Sequence, residues 1–374
     1  MISVISLGAA AFAPGSALHS SRVVSHVSNV QMADANPVVV GIAADSGCGK
    51  STFMRRLTSI FGGESKLLDI GRETNTLVSD MTTVICLDDY HKWDRTGRKS
   101  NPEWPDGITA LHEACQDWDK MAADVTDLKA GKAVSKPIYN HITGELDPYE
   151  DVSPTPIVIF EGLHPMHDDR VREALDLTVY LDITDEVKFA WKAQRDIAER
   201  GATMEEVQAA IDGRKPDFAA YVEPQKAKAD IIVQVLFSDL SEDKTGKFLK
   251  VKLIQKKAFK TVSPAYFFDE GSQIEWTPNS DKLSATEPGV KFSYYDDEWF
   301  GAPVSVLEMD GKVDSLEELI YVESHLCNSG TKFYGELTEQ ITKNADAPGS
   351  DNGTGLFQTI CAFKIREAYE AIVA

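Results

Sequence analysis

The chain has 374 residues, a formal net charge of −21 and 43% hydrophobic residues, enough to bury one large α/β core or two modest ones. So acidic a balance excludes a duplex-binding face, which needs a basic surface, and leaves small anionic substrates open only where basic residues cluster; no nucleic-acid partner is expected. No apolar run reaches the ~18 residues that span a bilayer, so no membrane partner is expected, and five scattered cysteines without a C-x-x-C pair argue against a zinc or disulfide framework.

Residues 1–33 stand apart. A short apolar stretch ending in small residues precedes a Ser-rich segment with Arg22 and no acid before Asp34, which reads as a two-part targeting segment, with a plain disordered terminus as the alternative. The folded part is expected over 34–374, with a core over about 34–228 and an extension over about 229–374.

The core opens on Val38-Val39-Val40-Gly41-Ile42, an apolar strand that runs through Ala43 and Ala44 into Asp45-Ser46-Gly47-Cys48-Gly49-Lys50-Ser51-Thr52. That syntax is a phosphate cradle for ATP or GTP. Gly47 and Gly49 let backbone N–H groups turn inward, Lys50 can reach the β- and γ-phosphates, and Ser51 can offer a hydroxyl to Mg²⁺. The first position of the usual pattern is Ala44 instead of Gly. A helix should follow from Thr52.

The next apolar strand, 82–87, ends abruptly in Asp88-Asp89-Tyr90-His91. Asp88, just past the strand end, is the candidate base for an acceptor hydroxyl, and Asp89 should point elsewhere if the chain is still extended there. His91, Arg95, Arg98 and Lys99 form a basic group in an acidic protein, either a clamp for a phosphorylated acceptor or a solvated loop face. A helical pattern covers 111–129. A third strand, 156–160, ends in Glu161-Gly162, where Glu161 resembles a Walker-B acid; a fourth, 177–181, ends in Asp182.

On the helix expected over 186–200, Lys192, Arg195, Asp196 and Arg200 share one stripe, as a lid closing over ATP would use and as an ordinary ion-paired face would also show. A second helix is expected over 204–213. Segments 231–237, 249–255 and 265–268 then read as strands, and 316–325 and 357–373 as helices. Short strands interleaved with helices specify a mainly parallel sheet flanked by helices, here with a β-rich extension. Ligands of such sheets bind at the carboxyl ends of the strands.

These motifs resemble the plastid-type phosphoribulokinases. The resemblance runs from about Pro37 to the C-terminus through Val84-Ile85-Cys86-Leu87-Asp88-Asp89-Tyr90-His91, Lys136-Pro137-Ile138-Tyr139-Asn140-His141, Glu161-Gly162-Leu163-His164-Pro165-Met166 and Asn352-Gly353-Thr354-Gly355-Leu356-Phe357. It implies a P-loop kinase fold and ATP-dependent phosphorylation of ribulose 5-phosphate to ribulose 1,5-bisphosphate in the Calvin cycle, with Mg²⁺ as cofactor. It implies Asp88 as general base, with Lys192, Arg195 and Arg200 supporting transition-state charge. It also implies His91, Arg95, Arg98, Tyr139 and His141 at the sugar phosphate, and Ser51, Glu161 and Asp196 at the metal.

The resemblance further implies a homodimer, a complex with glyceraldehyde-3-phosphate dehydrogenase through a small disordered linker protein, and a redox disulfide between Cys48 and Cys86. The cradle's N–H dipoles and Lys50 should favour a Cys48 thiolate. The second regulatory cysteine pair of plant members has no counterpart in 276–286. Ala11-Phe12-Ala13-Pro14 resembles the junction in presequences of complex red-lineage plastids, pointing to the stroma of such an organelle. A uridine-kinase-like enzyme is the alternative within the fold, though its acceptor carries no phosphate for a basic clamp. A nucleotide-binding scaffold is the alternative outside catalysis, though it could dispense with Asp88, Glu161 and Asp196.

Overall fold

The computed structural model describes residues 36–45, 48–61, 66–67, 76–201, 203–258, 262–278 and 288–374. The segment read as a presequence lies outside the described residues, as do Ser46 and Gly47 and the side chains of Arg195, Asp196 and Arg200.

Strand β1 (Val38–Ala44) is buried along its whole length, as a continuous apolar run must be when helices cover both faces of a parallel sheet. Alternate residues part company. Val38, Val40 and Ile42 enter one core cluster and Val39 another, the period-two consequence of strand geometry. Flanking β1 in parallel are β2 (Thr82–Cys86), β3 (Ile157–Gly162) and β4 (Leu177–Ile183), in the order β4-β1-β3-β2.

Strand β5 (Ile231–Phe237) joins β4 in parallel, with Val179 beside Ile231. The line expected near residue 229 therefore falls between two hydrogen-bonded neighbours, and residues 36–374 form one compact unit. Beyond β5 the same sheet continues antiparallel through β6 (Leu249–Lys256), then β7 (Val290–Trp299) and β8 (Ala302–Gly311) in the order β6-β8-β7, to an edge strand at Ile274–Trp276. Thr76–Val78 and Lys66–Leu67 extend the opposite edge, making eleven strands. The strand expected over 265–268 is two residues long, Tyr266–Phe267, and pairs with Leu326–Cys327 outside this sheet.

Helix α1 (Lys50–Ile60) follows the cradle. Helix α2 (Trp118–Lys129) starts seven residues later than the periodicity predicts, because Asp117 caps it by accepting from the Lys120 N–H, while Glu113–Cys115 forms only a 3₁₀ turn. Helix α3 (Asp185–Arg200) carries the basic stripe, and Met204–Asp212 follows as a shorter helix.

Helix α4 (Gly353–Val373) begins four residues before the expected start, where the Asn352 side chain accepts from the Thr354 N–H at 2.9 Å. It is buried without a break over 353–366 and packs against α1 and β6, the surroundings an all-round apolar helix requires. A Cβ on Gly353 would meet that of Val251 at 2.7 Å, so only glycine lets the helix start this close to β6. No helix among the described residues is long and apolar enough to cross a membrane.

Candidate active site

The carboxyl ends of β1, β3 and β2 lie side by side and bring together the cradle, Glu161 and Asp88. Gly49, at φ +78°, turns the chain into α1 with no side-chain cap and no acid in the first turn, so the helix's leading N–H groups stay free for an anion. Ser51 is exposed on this turn. Lys50 Nζ stands 3.6 Å from Glu161 Oε2. Burial works against the Lys50 charge, but the Glu161 and Asp88 carboxylates outweigh it and hold the ammonium above its ordinary range. Burial raises the Glu161 carboxyl, and its buried Oε2 has no hydrogen-bond partner. An orphaned carboxylate oxygen beside a cradle hydroxyl suits a hard divalent cation, so these residues fit Mg²⁺.

Asp88 and Asp89 sit in a 3₁₀ turn, Leu87–Tyr90, and not in extended chain. They still diverge. Asp89 is wholly buried, 2.5 Å from Lys136 Nζ, and accepts the Tyr139 N–H at 2.9 Å; Lys136 also pairs with Glu150 at 2.7 Å. Asp88 instead faces a cavity of about 370 Å³, with Oδ2 3.7 Å from His141 Nε2. Burial pushes the Asp88 carboxyl up, but neighbouring His91, Lys50 and His141 more than offset this and hold it below the ordinary carboxylate range.

That cavity is lined by Lys50, Arg95, Arg98, Lys99 and Arg214, five cations to the one carboxylate of Asp88. The Arg95 guanidinium donates to the His141 carbonyl at 2.8 Å. Gly144, at φ +81°, makes room for it, since a Cβ there would come within 2.8 Å of the Arg95 side chain. The Arg98 guanidinium donates to the Tyr139 hydroxyl at 2.9 Å, so Tyr139 lies buried behind the cation it supports.

His91 differs from expectation. It is 4% exposed, neither ring nitrogen makes a well-formed hydrogen bond, and burial pushes its pKa down to about 4. A neutral ring packed edge-on to Tyr139 supplies no cation to a clamp. The charge comes from Arg95, Arg98 and Lys99, joined by Arg214, which no motif announced. Arg214 Nη2 donates to Asp45 Oδ1 at 2.9 Å, and Lys188 of α3 lies 3.5 Å from the same carboxylate. His164, quoted in a motif but given no role from the sequence, is buried, bonded to the Leu111 carbonyl at 2.8 Å, and its pKa is pushed down to about 3, chiefly by burial.

A second cavity, about 540 Å³, lies on the other side of the cradle, with Cys48, Gly49 and Thr52 in its wall. Lys192 lines it together with three lysines the sequence did not single out, Lys188, Lys247 and Lys312. Cys48 and Cys86 are free and buried. Burial pushes Cys48 up to about 12 and Cys86 well above its ordinary value, so desolvation overrides the cradle's dipoles and neither thiol favours the thiolate.

A phosphate cradle at one strand end, acids at the next two, and a cavity on either side define a P-loop phosphotransferase. A family described as "Phosphoribulokinase / Uridine kinase family" matches residues 39–241. The chain is 58% identical over 347 residues to "Phosphoribulokinase, chloroplastic" of Triticum aestivum, covering 92% of this chain and 85% of that protein. To "Uridine kinase" of Brevibacillus brevis it is 31% identical over 200 residues, covering 53% of this chain and 85% of the relative. A solved phosphoribulokinase from Rhodobacter spheroides aligns with a TM-score of 0.45 at 15% identity, covering 63% of this chain and 88% of its own. The chain belongs to the phosphoribulokinase/uridine kinase family.

Proposed function

We infer that this chain transfers the γ-phosphoryl group of Mg-ATP to the 1-hydroxyl of ribulose 5-phosphate, giving ribulose 1,5-bisphosphate for the Calvin cycle. The five-cation cavity beside Asp88 carries this reading: a phosphate that does not react needs cations held in place, whereas a nucleoside has no charge to offer them. The extent of the match to the wheat protein, against the half-chain match to a uridine kinase, supports the same choice.

In this reading the cradle and Lys50 hold the ATP phosphates, and Lys192 adds charge from α3. Ser51 and Glu161 hold Mg²⁺, with Asp196 as a further ligand. Bound Mg²⁺ draws charge from the transferring phosphoryl group. Asp88 takes the proton of the attacking hydroxyl, its low pKa keeping it ionised at neutral pH. Arg95 and Arg98 anchor the sugar phosphate, His141 orients Asp88, and Arg195 and Arg200 close over the transferring charge.

The wheat protein is named as chloroplastic, and a plastid location is inferred for this chain, with residues 1–33 as the address to a complex red-lineage plastid. A homodimer and a linker-mediated complex with glyceraldehyde-3-phosphate dehydrogenase complete the reading. A coupled assay with Mg-ATP and either ribulose 5-phosphate or uridine tests it. A hundredfold preference for uridine would sink the assignment.

A further inference from the structure

Around the base lies a donor set that includes a sulfur that phosphoryl transfer does not call for. Cys86 Sγ, an Asp88 oxygen and a His141 ring nitrogen all lie within 4.8 Å of one another. The His141 Nε2–Asp88 Oδ2 separation is 3.7 Å, already close to the roughly 3.3 Å between two ligands of one tetrahedral zinc. Backbone architecture supplies the cluster: Cys86 closes β2, Asp88 stands in the turn that follows, and His141 comes just past the strand Val134–Tyr139.

The chemistry of the set matters as much as its spacing. One sulfur, one imidazole nitrogen and one carboxylate oxygen suit a borderline or soft cation, whereas Mg²⁺ takes oxygen ligands and keeps its waters. The set is therefore distinct from the Ser51/Glu161 pair. A second observation points the same way. His91, 4% exposed with both ring nitrogens unpartnered, packs edge-on to the same Tyr139 ring as His141. Of the cations lining the adjoining cavity, Lys50 is paired to Glu161, Arg95 to the His141 carbonyl, Arg98 to the Tyr139 hydroxyl and Arg214 to Asp45.

We propose that Cys86, Asp88 and His141 form an inhibitory site for a borderline divalent cation such as Zn²⁺, open on its fourth side to the cation-lined cavity. Coordination takes the Cys86 proton to solvent and leaves Asp88⁻ and the thiolate balancing the 2+ charge. With its oxygen on the ion, Asp88 no longer accepts the hydroxyl proton. The same ion shields Cys86 from oxidants and alkylating agents.

The test uses the reduced full chain, first without substrates, so that the binding readout does not depend on which phosphoryl acceptor is correct. Titration with CoCl₂ should give a thiolate-to-cobalt charge-transfer band saturating at one equivalent, displaced by ZnCl₂ and absent in Cys86→Ala. A band that survives in Cys86→Ala would assign the ion to another thiol and overturn the site. With Mg-ATP and acceptor, ZnCl₂ inhibition in the wild type should resist excess Mg²⁺. In Cys86→Ala and His141→Asn, each scaled to its own zinc-free rate, half-inhibition should need at least tenfold more ZnCl₂. Inhibition relieved by Mg²⁺ and unchanged in the variants would place zinc on the nucleotide site instead. If the variants do not fold, wild-type Cys86 mapped by iodoacetamide labelling decides: ZnCl₂ should slow its alkylation at least tenfold, and an unchanged rate refutes the proposal.

Discussion

Two consecutive carboxylates sit in opposite surroundings, and the contrast yields separable predictions. Asp88 faces the cavity, so Asp88→Asn should cut kcat by roughly 10²–10⁴-fold while ATP binding, read by nucleotide titration, stays within a few-fold. Asp89 lies at 0% exposure against Lys136, so Asp89→Ala leaves a buried ammonium without its closest partner and should cost about 3–5 kcal/mol in urea denaturation. A kcat collapse at Asp89 in a fully stable protein would reverse the two roles. Arg95→Ala should instead act on KM for the sugar phosphate, because contact with a non-reacting phosphate exists equally in ground and transition states. The sequence separated the two acids correctly for a reason that did not hold: it relied on extended chain, whereas a 3₁₀ turn divides them. It read His91 as a cation because composition carries no information on burial.

At the scale of elements, the cradle and the end of β2 are separated by β3, which lies between β1 and β2 in the sheet. Two inter-strand spacings amount to roughly 9–10 Å, beyond the ~7 Å that a disulfide permits between Cα atoms. A Cys48–Cys86 bridge has to reach past the end of β3, and both thiols start protonated. Oxidation should inhibit slowly, be readily reversed by dithiothreitol, and be lost in Cys86→Ser. Rapid, complete inactivation of Cys86→Ser by the same oxidant would assign the effect to another thiol. Strands and the cradle were legible because apolar runs and glycine placement are local signals. Arg214, Lys247 and Lys312 were not, since none belongs to a recognisable motif and only the fold carries each to a cavity wall.

Across the whole molecule, the sheet order could not be read from strands alone: the segment after 229 looks like an addition by composition, yet β5 completes the parallel set and β6 to β8 widen the same sheet. His91 and His164 both lie buried just past the ends of parallel strands, and burial holds both neutral, with pKa values pushed down to about 4 and about 3. In the unfolded chain a histidine titrates near 6.5. Between about pH 6.5 and 4 the unfolded state binds protons that the native state refuses, so stability must fall as pH falls through this window. Each histidine contributes up to about 1.4 kcal/mol per pH unit. His164→Gln keeps a donor near the Nε2 position for the Leu111 carbonyl and removes the titration, so it should lose less stability than wild type between pH 6.5 and 5 in urea denaturation. Parallel losses in the two proteins would show that carboxylates, not this buried ring, set the acid limit.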